Sequence, residues 1–185
     1  PERVPEQVPV PVPPPAGVLA AFGIDARAHA RLLPGGQGRT FAVDDTVLKP
    51  IDGVAEHVWV AEVFASWPGD ADVRVPQPLR ADDGGWVVAG WGAHRFLPGE
   101  TVRIASEPGQ VREASDAFHG MLAHLPRADF LDARDDPWSF GDRVAWDSVE
   151  PVGDSVTVAL VDQARTAYGE VFGPAQRLHG ATYVV

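Results

Sequence analysis

The sequence predicts an α+β fold, with a small, mostly antiparallel sheet, one helix packed on it, and helices after it. Three observations predict it. Short apolar runs separated by glycine and aspartate turns fill residues 31–49. Val54–Trp67 then repeats apolar residues at helical spacing. From Glu107 onward the pattern is helical again, without strand alternation.

Residues 1–15, PERVPEQVPVPVPPP, form a proline-rich segment. Each proline removes a backbone donor and biases its predecessor toward extended geometry, so an extended or disordered arm is expected. Ala16–Phe22 predicts a short helix closed by Gly23. Arg31–Leu33 and Thr40–Val43 predict two strands around the Gly35–Gly38 turn. Asp44-Asp45 turns the chain into a third strand, Thr46–Lys49, which Pro50 and Gly53 bring to an end.

In the Val54–Trp67 helix, Val54, Val58, Ala61 and Ala65 form one stripe, and Val60, Val63, Phe64 and Trp67 a second. Two stripes predict burial on two sides. Gln77–Arg80 and Trp86–Val88 read as strands joined by Asp82-Asp83-Gly84-Gly85. The run Val87–Leu97 reads as one long or bent strand, interrupted at Gly90 and Gly92. Val111–Leu125 and Ser155–Phe172 read as helices. Between them lies a loop rich in Asp and Pro that carries Trp138, Phe140 and Trp146, and the tryptophans are expected to pack between elements. The domain reading is an arm at 1–15, a sheet-bearing lobe at 16–99 and a helical lobe at 100–185.

Composition narrows the function. A net charge of −11 argues against a surface for nucleic-acid backbones or anionic membranes. It leaves room for a small anionic ligand held by local positive groups. With no cysteine, disulfides and thiolate chemistry are excluded. No apolar run is long enough to span a bilayer and no leader pattern is visible, so a cytoplasmic location is expected. His119 and His124 are five apart, which does not place both on one helix face, and no metal site is predicted.

The stretch LPGGQGRTFAVDDTVLKP carries the chemistry. Glycines allow backbone N–H groups to approach phosphate oxygens and tolerate positive φ. Of the 15 Lys and Arg residues, only Lys49 is a lysine. A glycine-rich hairpin, a lysine at the end of a third strand, and then a helix bearing an acid is the upper-lobe layout of kinases. Glu56 and Glu62 are the candidate acids, and the helical wheel alone does not choose between them.

The segments LLPGGQGRTF, VLKPIDG, AEVFASW, VPQPLRADDGGWVVAGWGAHRFLPGE, FLDARDDPWSFGDRVAW and PAQRLHG resemble an uncharacterised actinobacterial family. That family lies in the aminoglycoside phosphotransferase-like branch of the kinase superfamily. The resemblance runs in order over most of residues 30–180, and FLDARDDPWSFGDRVAW is its most specific part. It implies a kinase-like two-lobe fold with ATP in the cleft. The implied nucleotide-binding residues are Gly35, Gly36, Gly38, Lys49, Glu62 and the hinge Arg95, Phe96 and Leu97. It favours Glu62 as the partner of Lys49, and it implies a small hydroxylated molecule as phosphate acceptor.

The same resemblance requires His-Gly-Asp, then an Asn and a later Asp for Mg²⁺. Here His179-Gly180-Ala181 is followed only by Thr182, Tyr183, Val184 and Val185. A methyl group neither accepts a proton nor orients a hydroxyl. The expectation is a C-terminally truncated, inactive relative of a phosphotransferase that does not hold Mg²⁺ alone. A protein partner covering an incomplete lower lobe is part of that expectation. The alternatives are a non-catalytic interaction module and an inactive gene fragment.

Overall fold

The computed structural model describes residues 11–34, 38–69, 72–99, 105–134, 136–145 and 149–168. They divide into two compact units, one running through Phe118 and the other beginning at His119. The proline-rich residues 1–10, Gly35 and Gly36 of the turn, Trp146, and the chain from 169 onward, with Ala181, lie outside the described residues. No helix among the described residues is long and apolar enough to cross a membrane.

The first unit is built on a five-stranded sheet in the order β1-β2-β3-β5-β4, antiparallel throughout. The strands are β1 Arg31–Leu32, β2 Phe41–Val43, β3 Thr46–Pro50, β4 Val87–Val88 and β5 Trp91–Arg95. Asp44 adopts φ 52° in the β2–β3 turn. A short side chain that bonds its own backbone tolerates this left-handed geometry. Helix α1 spans Ala16–Ala21, and Gly23 follows it at φ +72°, a left-handed position that glycine takes without Cβ strain.

Strand alternation gives the sheet two faces. On one, Phe41, Val43, Leu48, Trp91 and Ala93 pack with Val18, Leu19 and Phe22 of α1 and its C-terminal end. Leu48 and Val43 are fully buried there. The other face carries Ala42, Val47, Lys49, Gly92 and His94, by the pairs Ala42↔Val47, Val47↔His94 and Lys49↔Gly92.

Helix α2, Val54–Ala65, meets that second face. Its His57 ring occupies the space that a Cβ at Gly92 would fill, and the Ile51 Cδ1 lies 3.0 Å from the same point. The expected double burial of α2 is only partly met. Ala61 is its one buried residue, and Val54 is half exposed. Its second stripe is used at one end: Phe64 and Trp67 form a ring cluster with Phe118, at centroid distances of 5.6–6.5 Å. Phe118 belongs to α3, Pro108–Leu122.

Two expectations for the sheet are corrected. Gln77–Arg80 is not a strand but a single bridge, Pro78↔His94, with flanking backbone bonds to β5. Val87–Leu97 is not one bent strand. Ala89 and Gly90, at φ 47° and 79°, turn it back as the tight β4–β5 hairpin. Positive φ at both central residues matches strand twist, as in a type I′ turn.

In the second unit, the expected Asp- and Pro-rich loop is helical instead. It contains a 3₁₀ segment, Asp129–Ala133, and α4, Pro137–Ala145. Asp136 caps α4 by accepting hydrogen bonds from the Ser139 backbone N–H (3.0 Å) and hydroxyl (2.6 Å). Pro137 takes the first helical position, where no donor is needed. Helix α5 spans Ser155–Tyr168, and Asp154 accepts from the N–H groups of Val156 and Thr157. Trp138 is 81% exposed, contrary to the expected packing between elements, and Val152, Val156 and Leu160 are also exposed.

The seating of His57 over Gly92 yields a prediction. Gly92→Ala should destabilise the first unit by about 1–3 kcal/mol, the usual range for overpacking. In a His57→Ala background the same substitution should cost much less. Denaturant unfolding of the four proteins in the cycle measures the coupling, and additivity would refute the contact.

Candidate functional site

Lys49 lies on β3, beyond the end of the β2 pairing, and its side chain is exposed. The expected ion pair with Glu62 is absent. Glu62 is exposed on α2, and no ion pair joins it to Lys49 among the described residues. The α2 residue that lies against the Lys49 face of the sheet is His57, because Gly92, the register partner of Lys49, leaves room for an imidazole.

Electrostatics identify the other neighbours of Lys49. Its charge acts on Asp52, His57 and His94. Asp52 already carries a partner: Arg39 donates to both of its carboxylate oxygens, at 3.2 and 2.6 Å. That bidentate pair ties the chain after the glycine turn to the β3–α2 connection. It holds the Asp52 carboxyl below its ordinary range, chiefly through the Arg39 hydrogen bonds.

His57 and His94 are both held below the usual imidazole range. Burial is the main cause in each case, since it disfavours the charged ring. Lys49 pushes both further down, while the Trp86 and Arg95 carbonyls act the other way. The His94 Nδ1 lies 3.0 Å from the Arg95 carbonyl. A carbonyl only accepts, so Nδ1 carries the proton and Nε2 of the neutral ring presents a lone pair. The His57 Nε2 is buried without a hydrogen-bond partner. An unmade bond of that kind costs about 1–3 kcal/mol.

The remaining expected site residues are placed as follows. Gly38 has φ +67°, a conformation that favours glycine, and nothing lies within 4 Å of where its Cβ would be. Arg95 ends β5 and pairs with Asp45 at 2.7 Å. In the expected hinge, the Arg95 N–H is donated to the Gln77 carbonyl and the Phe96 N–H to the Asp45 carbonyl. Among the described residues Leu97 makes no hydrogen bond, so it is the one hinge residue whose backbone is uncommitted.

Sequence reasoning missed His57 and His94. The signal available was Gly92 inside a strand, which marks close approach by another group. Among the described residues no group of three or more His, Asp or Glu side chains is disposed to hold a metal ion. No protein-family model, curated protein or solved structure matches the chain.

The pH dependence follows by sign. Both folded-state histidines titrate below the ordinary value of 6.5, so between that value and their folded values the unfolded chain binds more protons. Stability of the first unit should therefore be flat above 6.5 and fall as pH drops below it. A His57→Asn, His94→Asn double variant should lose most of that fall. Lys49→Met should raise both imidazole values in an NMR titration, and unmoved resonances would separate Lys49 from the pair.

Proposed function

We propose that the first unit is a nucleotide-binding module of kinase-like design, derived from a small-molecule phosphotransferase. One arrangement carries the reading. A hairpin whose connection holds the glycines leads into a strand that carries the sole lysine, a helix follows, and a hairpin returns so that its second strand pairs with the lysine strand.

The spacing supports it. Arg95, at the start of the expected hinge, pairs with Thr46, three residues along β3 from Lys49. At about 3.3 Å per residue that is about 10 Å, a span suited to a nucleotide with its base at the hinge and its phosphates at the ammonium. Lys49 has no ion-pair partner among the described residues, so its charge is available to a phosphate.

Transfer chemistry finds less support. Ala181 follows His179-Gly180 where a base is required. Slow or absent phosphotransfer is expected of this chain. A second reading, an interaction module acting through a protein partner, is favoured by the exposed Trp138, Val152, Val156 and Leu160 of the second unit.

Titration with ATP, with and without Mg²⁺, tests the reading. Binding is expected in both conditions, and Lys49→Ala should weaken it by about tenfold or more, the scale of a lost charge-assisted contact. No binding by either protein would sink the nucleotide reading. Appreciable phosphotransfer would overturn the view that Ala181 disables the site.

A further inference from the structure

We propose that Lys49, His57 and His94 form a single proton-linked polyphosphate site, in which arrival of the anion is accompanied by protonation of the imidazole pair. The proposal rests on the nucleotide reading for its natural ligand, and on the sheet geometry for the site itself.

Lys49, Gly92 and His94 project from one face of two paired strands, and Gly92 admits His57 from α2 onto that face. One ammonium and two imidazoles therefore share the sheet face where one carboxylate was expected. In the ligand-free state burial and the Lys49 charge oppose a proton on either ring, and a charge on His94 opposes one on His57 as well, so both are held below the usual imidazole range. A polyphosphate beside Lys49 reverses that balance, since its negative charge offsets the ammonium and favours imidazolium. On protonation the His94 Nε2 changes from acceptor to donor, while its Nδ1 keeps the Arg95 carbonyl.

The surrounding charged groups leave this coupling to the two histidines. Asp52 is neutralised by Arg39, and Arg95 is occupied by Asp45. Glu62 is exposed on α2, and Glu56 lies in its first turn, near Gly53. The Arg80 guanidinium stacks 3.8 Å above the Trp86 ring. On β4, the strand that flanks β5, both residues are valines. Chemically, the site suits a compact multivalent anion, such as a di- or triphosphate.

Calorimetry of the whole chain tests the proposal, with pyrophosphate and metal-free ATP as separate probes, at about pH 6 and about pH 8, either side of the imidazole range. Two buffers of different ionisation heat give the protons taken up. The His57→Asn, His94→Asn variant removes the titration of the ligand from the comparison. The wild type should take up more protons than the variant. Its affinity for pyrophosphate should gain about fivefold or more over the variant as pH falls, within the limit of about tenfold per pH unit per proton.

Equal pH dependence in the two proteins, or no pyrophosphate binding at the lower pH, would overturn the site. Pyrophosphate binding with extra proton uptake, but no ATP binding, would keep the site and remove the nucleotide reading. ATP binding with equal pH dependence would do the reverse. Where the double variant does not fold, imidazole resonances of the wild type, titrated with and without pyrophosphate, give the answer: values that rise support the site, and unmoved values overturn it.

Discussion

The pairing of β3 with β5 sets the positions on which the first unit depends. Five consecutive residues are matched, from Thr46↔Arg95 to Pro50↔Trp91, across a connection that contains α2 and the β4 strand. Closing so long a connection costs chain entropy, which grows slowly with its length. The return lies on the opposite face, where Leu48 and Ala93 are register partners sealed under α1. Burial of such apolar surface is the main favourable term available. A slip by one residue would turn Leu48 outward and Lys49 inward. The core therefore fixes the register, and the register fixes which groups meet Lys49.

Those groups set the local charge around Lys49 in a chain whose net charge is −11. Local arrangement outweighs the total when the acids are already paired or lie elsewhere. Asp52 and Asp45 each hold an arginine at the border of the sheet face, and neither forms an ion pair with Lys49 among the described residues. Neutral imidazoles then adjoin the ammonium at a smaller desolvation cost than a buried carboxylate would incur.

Much of this fold was legible in the sequence where a local signal had one physical meaning. Asp44-Asp45 between β-rich runs gave the β2–β3 hairpin, Gly23 closed α1, and the apolar repeat gave α2. Misreadings came where tertiary context decided. Ala89-Gly90 is a poor hairpin signal because alanine disfavours positive φ, yet the β4–β5 pairing imposes it. Asp136-Pro137, with Ser139 beyond, is a helix start that the surrounding aspartates disguised as loop. In the site, Lys49 was legible because it is unique. His57 was not, since its role depends on a glycine 35 positions away that only the sheet register brings beneath it.

Pro50 has a consequence of its own. Pairing of β2 with β3 stops at Phe41↔Leu48, and Ile51 sends its N–H the other way, to the Gly90 carbonyl at 2.7 Å. By strand alternation, Pro50 is the residue whose N–H would have pointed toward Arg39. It has none. The ladder cannot zip further along that edge, and the segment after the glycine turn is held there by a side-chain clasp, Arg39 to Asp52, instead of by main-chain bonds. A proline thus ends the main-chain pairing beside Lys49, and a salt-sensitive side-chain pair takes its place.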